Sequence, residues 1–331
     1  MSQERTTTLP VRPGRLAAFS GHPLVQSLFA DKVTLVSVAF ILLVIVSALF
    51  APLITPYPTD GRGETQNLPL RHLAPWSTDV VNGVDALPGE RRRFVMGTDY
   101  LGRDLLSRLI YGGRISITVA FAGVAVSGII GVVLGLLAGY YRGIVDDIIM
   151  RTVDVFMSVP LLILALLLLY VLGPSFKNII LVFALARWML YCRITRGVVL
   201  SLREQPFIDA AQAVGCSNSR IILRHILPNL ITPLLTLASL ELPRNILTES
   251  ALSFLGLGIQ PPESSWGLML ASGRNYITSA WWEVVMPGMA IFMAALSINL
   301  FGVWLRAVSD PLQRWRWLKQ TKEAKQAGIS H

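Results

Sequence analysis

Charge is scarce in this 331-residue chain: 15% of its residues are Asp, Glu, Lys or Arg, where a soluble domain carries about 25%. Beside a hydrophobic content of 53%, that scarcity excludes an ordinary soluble domain and points to a polytopic helical membrane protein. Cysteine is nearly absent. Cys192 and Cys216 are the two, they show no metal-ligand spacing, and both fall near a segment read below as cytoplasmic, where a disulfide is not expected. Histidine is confined to positions 22, 72, 225 and 331, outside the apolar runs. An intramembrane enzyme would lack a reactive cluster at depth. No G-x-x-x-x-G-K-[ST] phosphate loop occurs. The form of a cleavable signal peptide is also missing. About thirty mostly polar residues precede the first apolar run, that run outlasts the ~7–15 residues of a signal core, and no A-x-A site follows it.

What the chain does have is six apolar segments, at approximately 33–54, 115–139, 153–172, 178–192, 229–258 and 284–305. Six spans put both termini on one side, and Lys and Arg choose it. Segments 1–32, 140–152, 193–228 and 306–331 hold 17 of them, and segments 55–113, 173–177 and 259–283 hold 9. The bias puts the tails 1–32 and 306–331 in the cytoplasm and the long loop 55–113 outside. The net charge of +9 is then a matter of orientation, and no basic stripe interleaved with aromatics suggests nucleic acid.

The second span carries Gly131, Gly135 and Gly139 at four-residue intervals. Such a stripe lets helices approach closely in lipid, and a hinge is the other reading. Ahead of it, residues 94–116 read FVMGTDYLGRDLLSRLIYGGRIS. Thr98 or Asp99 can cap a helix near 99–111. Leu101, Leu105, Leu106, Leu109 and Ile110 would form its apolar face, with Arg103, Asp104 and Arg108 opposite and Asp104 and Arg108 paired at i,i+4. This predicts an amphipathic helix on the outer membrane surface, ended where Gly112-Gly113 turns the chain into the span.

The stretch FIDAAQAVGCSNSRIILRHILPN, residues 207–229, is compact and polar between two spans. Pro206 suits a first helical position. Phe207 to Val214 then reads as two turns, with Ala210, Ala211 and Ala213 on one side. Gly215 fits a left-handed stop. Ser217 or Asn218 can cap a second helix reaching about Leu227, beyond which Pro228 prevents simple continuation. Two short helices at an angle make either a linker or a rigid knob onto which another protein docks. In the fifth span, which Pro233 and Pro243 are expected to kink or make partly re-entrant, Glu241, Arg244, Asn245, Thr248 and Glu249 share a broad polar face. Ionisable groups at depth face a bundle interior or a cavity. Glu241 and Arg244 suit an internal ion pair, a pathway lining or a contact with another subunit, and Arg187 of the fourth span is a further candidate partner. Trp281 and Trp282, with SSWGLML at 264–270, read as outer-interface anchors or as a contact for an external protein.

The stretch also resembles the EAA motif of ABC-importer permeases: an acidic residue, two alanines, three residues, glycine, nine residues and an I-x-L-P ending. Asp209, Ala210, Ala211, Gly215, Leu227 and Pro228 fill it, with Asp in place of Glu and His225 in place of the isoleucine. Both departures are similar to the peptide-importer branch, where H-I-L-P-N is usual. GTDYLGRDLLSRLIYGGRIS (97–116) and TESALSFLGLGIQPPESSWGLML (248–270) look like that branch's other signatures. WLRAVSDPLQR (304–314) resembles its ending, except that Ala307 stands where an acidic residue is usual. The resemblance covers about residues 30–315 and is closest to the second, C-type permease of dipeptide, oligopeptide, nickel, glutathione and opine importers.

The resemblance implies an all-α fold of six transmembrane helices, the type I ABC importer permease fold. After the first helix at 33–54, a core at 114–305 would hold five spans and a cytoplasmic coupling segment at 203–228. It implies a multi-pass subunit of the bacterial inner membrane with no cofactor of its own. ATP and Mg would be bound by two ABC ATPase subunits docked through Asp209, Ala210, Ala211, Gly215, His225 and Pro228. A homologous second permease would complete the translocation pathway, and a periplasmic or lipid-anchored binding protein would deliver the cargo. A secondary transporter, needing no ATPase, is the competing class. The cargo itself is not written here: peptide is the branch's default, beside nickel, glutathione and opines.

Overall fold

The computed structural model describes residues 28–29, 31–80 and 91–309. The expected tails before residue 28 and beyond Ser309, with the last part of WLRAVSDPLQR, lie outside these residues. The elements are α1 (Lys32–Leu49), α2 (Ala51–Ile54), α3 (Pro58–Arg62), β1 (Ser77–Val80), β2 (Arg91–Phe94), α4 (Leu105–Tyr141), α5 (Gly143–Met157), α6 (Leu161–Leu172), α7 (Phe176–Arg203), α8 (Pro206–Ala213), α9 (Asn218–Ile221), a π turn (Ile222–Ile226), α10 (Leu227–Phe254), α11 (Trp266–Gly273) and α12 (Trp282–Ser309).

Among the described residues, five helical stretches are long and apolar enough to cross a membrane: Lys32–Leu49, Leu105–Tyr141, Phe176–Arg203, Asn218–Phe254 and Trp282–Val308. The pair α5–α6, bent by 89°, makes the sixth when counted as one broken span. The apolar run 153–172 is therefore not one straight helix. Pro160, with no N–H to donate, stands at the N-cap of α6, and α5 ends at Met157. α6 alone, with 12 residues, is about 18 Å long and falls short of a ~30 Å hydrocarbon core. α5 is instead strapped to the end of α7 by Asp146–Arg196 and Asp154–Arg193 ion pairs.

Lipid offers no hydrophobic force between apolar helices, so close packing carries their association. The glycine stripe of α4 is where this happens. A Cβ on Gly131 would fall 2.3 Å from the Trp188 carbonyl oxygen and 2.5 Å from Tyr191 Cβ. One on Gly135 would fall 2.6 Å from the Cys192 carbonyl oxygen, and one on Gly139 2.8 Å from Val199 Cβ. The backbones of α4 and α7 meet along this line.

α4 has 37 residues, about 55 Å, so it projects beyond a bilayer. At its first end it meets the loop segments 55–80, 91–104 and 255–281. Here the expected surface helix near 99–111 is corrected. Gly112 and Gly113 lie inside α4 and do not turn the chain; Gly112 packs against Ser265 and Trp266 and Gly113 against the Trp266 ring, where a side chain would intrude. Asp104, not Thr98 or Asp99, is the N-cap, accepting from the Ser107 N–H at 2.7 Å. Arg103, Asp104 and Arg108, expected on a solvated face, are 4%, 1% and 3% exposed. The Asp104–Arg108 pair does not form. Asp99 folds back and holds both Arg103 (2.8 Å) and Arg108 (2.7 Å), and Arg108 also reaches the Ser264 hydroxyl of the other loop at 3.4 Å. His72 Nδ1 lies 2.6 Å from Glu283 at the start of α12. The two loops thus form one polar cap on one end of the bundle.

Candidate functional site

The opposite end is built around α8. Pro206 occupies its first turn, and Gly215 follows it with φ +79°. Gly215 N–H donates to the Gln212 carbonyl at 2.9 Å and Cys216 N–H to the Ala211 carbonyl at 3.0 Å. This paired arrangement is a Schellman stop, which needs a left-handed residue at Gly215. α9 begins at once, with Ser217 at the N-cap position.

The second helix is not separate. From Asn218 to Phe254 the chain runs as one helical rod of 37 residues. Pro228 sits in the first turn of α10 and does not end it. Proline removes one N–H and crowds the carbonyl four residues back. The chain answers with the π turn at Ile222–Ile226, in which Leu227 N–H donates to the Ile222 carbonyl. His225, half-buried in that turn, accepts from the Asn229 side chain through its carbonyl at 2.6 Å. Pro233 and Pro243, expected to kink or re-enter the fifth span, lie inside α10 without interrupting it. Any force on α8 therefore passes through one tight turn into a continuous transmembrane rod.

The alanines do not share one face. Ala211 turns inward with Ile208, into a cluster with Leu136, Tyr140, Val199, Ile221 and Leu230. Phe207, Ala210 and Val214 recur at i, i+3 and i+7 on the outward side, and Asp209 and Ala213 are exposed. Phe207 is 44% and Val214 79% exposed. The base of the hook is fixed by contacts that local spacing does not announce. The Tyr140 hydroxyl donates to Asn218 at 2.8 Å, Arg203 donates to the Tyr140 carbonyl at 2.6 Å, and Arg142 pairs with Glu204 at 3.0 Å.

Midway along α10, Glu241 is 1% exposed and accepts from Arg187 of α7 at 3.0 Å and from Arg244 at 2.8 Å. Arg187 also reaches the Thr248 hydroxyl at 3.4 Å. Asn245 is buried and donates to the Ala120 carbonyl of α4 at 3.4 Å. Glu249 is fully buried and accepts from Ser116 at 3.0 Å and Ser253 at 2.8 Å. The five polar residues of α10 thus divide. Glu241, Arg244 and Thr248 form an electrostatic cluster with Arg187, and Asn245 and Glu249 pin α10 to α4. Ser116, which also accepts the Trp266 N–H at 3.2 Å, was not foreseen as Glu249's partner; a lone serine in an apolar run gives no such signal.

A bundle of long apolar helices, capped at one end by interlocked loops and carrying at the other a hook continuous with a span, defines a polytopic helical membrane protein. Comparison with known proteins narrows the class. The sequence pattern described as "Binding-protein-dependent transport system inner membrane component" matches residues 131–315, and that of the "N-terminal TM domain of oligopeptide transport permease C" matches residues 24–75. The Di/tripeptide transport system permease protein DppC of Pseudomonas aeruginosa (strain UCBPP-PA14) is 39% identical over 286 residues, covering 86% of this chain and 90% of that protein. The Probable D,D-dipeptide transport system permease protein DdpC of Escherichia coli (strain K12) is 36% identical over 304 residues, covering 92% and 96%. Among solved structures, the inward-facing MetNI methionine ABC transporter aligns with a TM-score of 0.50 at 17% identity, over 61% of this chain and 96% of that one, a likeness of fold. The chain belongs to the family of binding-protein-dependent transport inner-membrane components: it is a multi-pass permease subunit of an ABC importer.

Proposed function

We propose that this chain is half of a paired permease that imports peptides or a related small solute across the inner membrane, with both termini in the cytoplasm. It hydrolyses nothing itself. Separate ATPase subunits bind ATP and Mg, dock on residues 206–228 and close together on ATP. The hook moves with them, and α10 carries the motion into the bundle. A binding protein delivers the cargo to the loop cap formed by 55–80, 91–104 and 255–281. Cargo and ATP must each favour a different state for the two to be coupled.

The observation that carries this reading is the outward stripe Phe207–Ala210–Val214, uncovered among the described residues, on a helix whose inner side is anchored by Ile208 and Ala211. A linker has no need of such a stripe, and an ion-driven transporter has no ATPase to receive. The peptide assignment is supported by the relatives named for di/tripeptide and D,D-dipeptide transport. The test is Val214→Glu in the full importer. The permease is expected to insert normally while its ATPase subunits no longer copurify. Retained ATPase and unchanged uptake count against the docking reading. A thermal-shift panel on the neighbouring binding protein identifies the cargo.

A further inference from the structure

Two guanidinium groups share one carboxylate at membrane depth. Glu241 holds Arg187 at 3.0 Å and Arg244 at 2.8 Å, and among the described residues neither arginine has a second carboxylate. The cluster therefore carries one net positive charge. Arg244 lies ten residues before the end of α10 and Arg187 eleven after the start of α7, about 15 Å along each helix and near the middle of a ~30 Å core. An uncompensated cation there is expensive, and such groups face cavities or meet an anion. Three features leave the place open. The Arg244 side chain is 60% exposed. The Arg187 Nε is buried with no acceptor. Arg187, though neither Glu241 nor Arg244, also lines a hollow of about 290 Å³ at the α5–α6 bend, beside Pro160, Leu161 and Leu164.

We propose that this cluster receives the free carboxylate of the cargo during passage, so that the importer favours carboxylate-bearing solutes. The inference rests on the permease reading above and adds a selectivity to it. Glu241 has two roles here. It holds both guanidinium groups in place, and it competes with the visiting carboxylate, so the cargo is held briefly and released, as a pathway requires. The alternative counter-ion is an acidic side chain of the paired permease, and the experiment separates the two.

The complete importer, reconstituted in vesicles with its binding protein, is given trialanine or trialanine amide, each at a concentration that saturates the binding protein. Arg244→Gln is expected to lower trialanine uptake about tenfold, the scale of one charge-assisted hydrogen bond. Arg244→Lys keeps it within about threefold, and amide uptake does not respond to either change. Equal loss for both probes, no loss for either, or failure of the second permease to copurify with the Arg244→Gln chain overturns the proposal. If the unaltered importer carries neither probe, the peptide reading fails, and a cargo-free measurement decides the site. Leu247, one turn from Arg244 and 51% exposed, is changed to Cys in a Cys216→Ser background. With each rate taken relative to that for a free thiol, the anionic sulfonatoethyl thiosulfonate is expected to modify it faster than the cationic trimethylammonium analogue, and Arg244→Gln levels the two relative rates. Equal relative rates before that change, or no modification by either reagent, overturns the site.

Discussion

Gly215→Val is the perturbation that isolates the bend between α8 and the transmembrane rod. Gly215 sits at φ +79°, and nothing lies within 4 Å of the position a Cβ would take. The substitution therefore meets no clash among the described residues, and its effect is backbone strain. A left-handed residue other than glycine costs roughly 1–2 kcal/mol, with a β-branched side chain at the upper end. That strain lowers the ratio of closed to open Schellman turn by about 5–30-fold if the rest of the hook offers no compensation. Asn tolerates the left-handed region far better while adding comparable bulk. In reconstituted importer, the stimulation of ATP hydrolysis by loaded binding protein is expected to fall at least fivefold in Gly215→Val and at most about twofold in Gly215→Asn. Membrane insertion is expected to be unchanged, because the apolar rod begins only at Asn218. If Asn is as harmful as Val, the surface cannot accept bulk and the bend is not the cause. If Val leaves coupling intact, the reasoning about a rigid hook is refuted.

Other predictions concern stability. Gly131→Ala places a methyl 2.3 Å from a backbone oxygen of α7, whereas at Gly128 the nearest atom is 3.6 Å away. The first is expected to lower the melting temperature in detergent by an amount matching ~1–3 kcal/mol of overpacking, and Gly128→Ala to leave it within error. Asp99→Asn removes the one carboxylate shared by the buried Arg103 and Arg108, which is expected to cost about 3–5 kcal/mol. Limited proteolysis should then cut the segment 57–104 far sooner than in the unaltered chain. Asp104 gives a pH dependence. Burial pushes its carboxyl up to about 6 from 3.8, and the nearby Asp60 and Asp99 push the same way. The folded cap holds the proton more tightly than the unfolded chain, so its stability falls as pH rises from about 4 to about 6, by an amount on the order of 3 kcal/mol. Asp104→Asn keeps the helix cap and is expected to flatten that slope in hydrogen exchange over 57–104; an unchanged slope assigns the titration elsewhere.

Much of the architecture was legible because lipid constrains it. The apolar runs marked the spans, and Gly215 marked its own turn by the only residue type that fits there without strain. The glycine repeat announced a close approach without naming α7 as the partner. Hydropathy is blind to direction, so 153–172 read as one span although Pro160 turns the chain inside it. Pro228 looked like a terminator because a one-residue widening of the helix ladder leaves no sequence mark. Local spacing paired Asp104 with Arg108, whereas the loop brought Asp99 back to take both arginines. Within the site, Glu241 and Arg244 were visible as neighbours on one helix. Their junction with Arg187, 54 residues away, was suggested only by an arginine standing inside an apolar run. The contacts that join distant loops, such as His72 with Glu283, have no local signal at all.

The central claim is that ATP-driven motion enters at α8. A cysteine at Val214 in a Cys216→Ser chain, whose remaining Cys192 is buried, treated with a short bis-maleimide in the assembled importer, measures it most directly. The account predicts a crosslink to an ATPase subunit whose yield changes when ATP is bound. A crosslink to the ATPase from a cysteine at Ile277 in the opposite loop cap, with none from position 214, would contradict it.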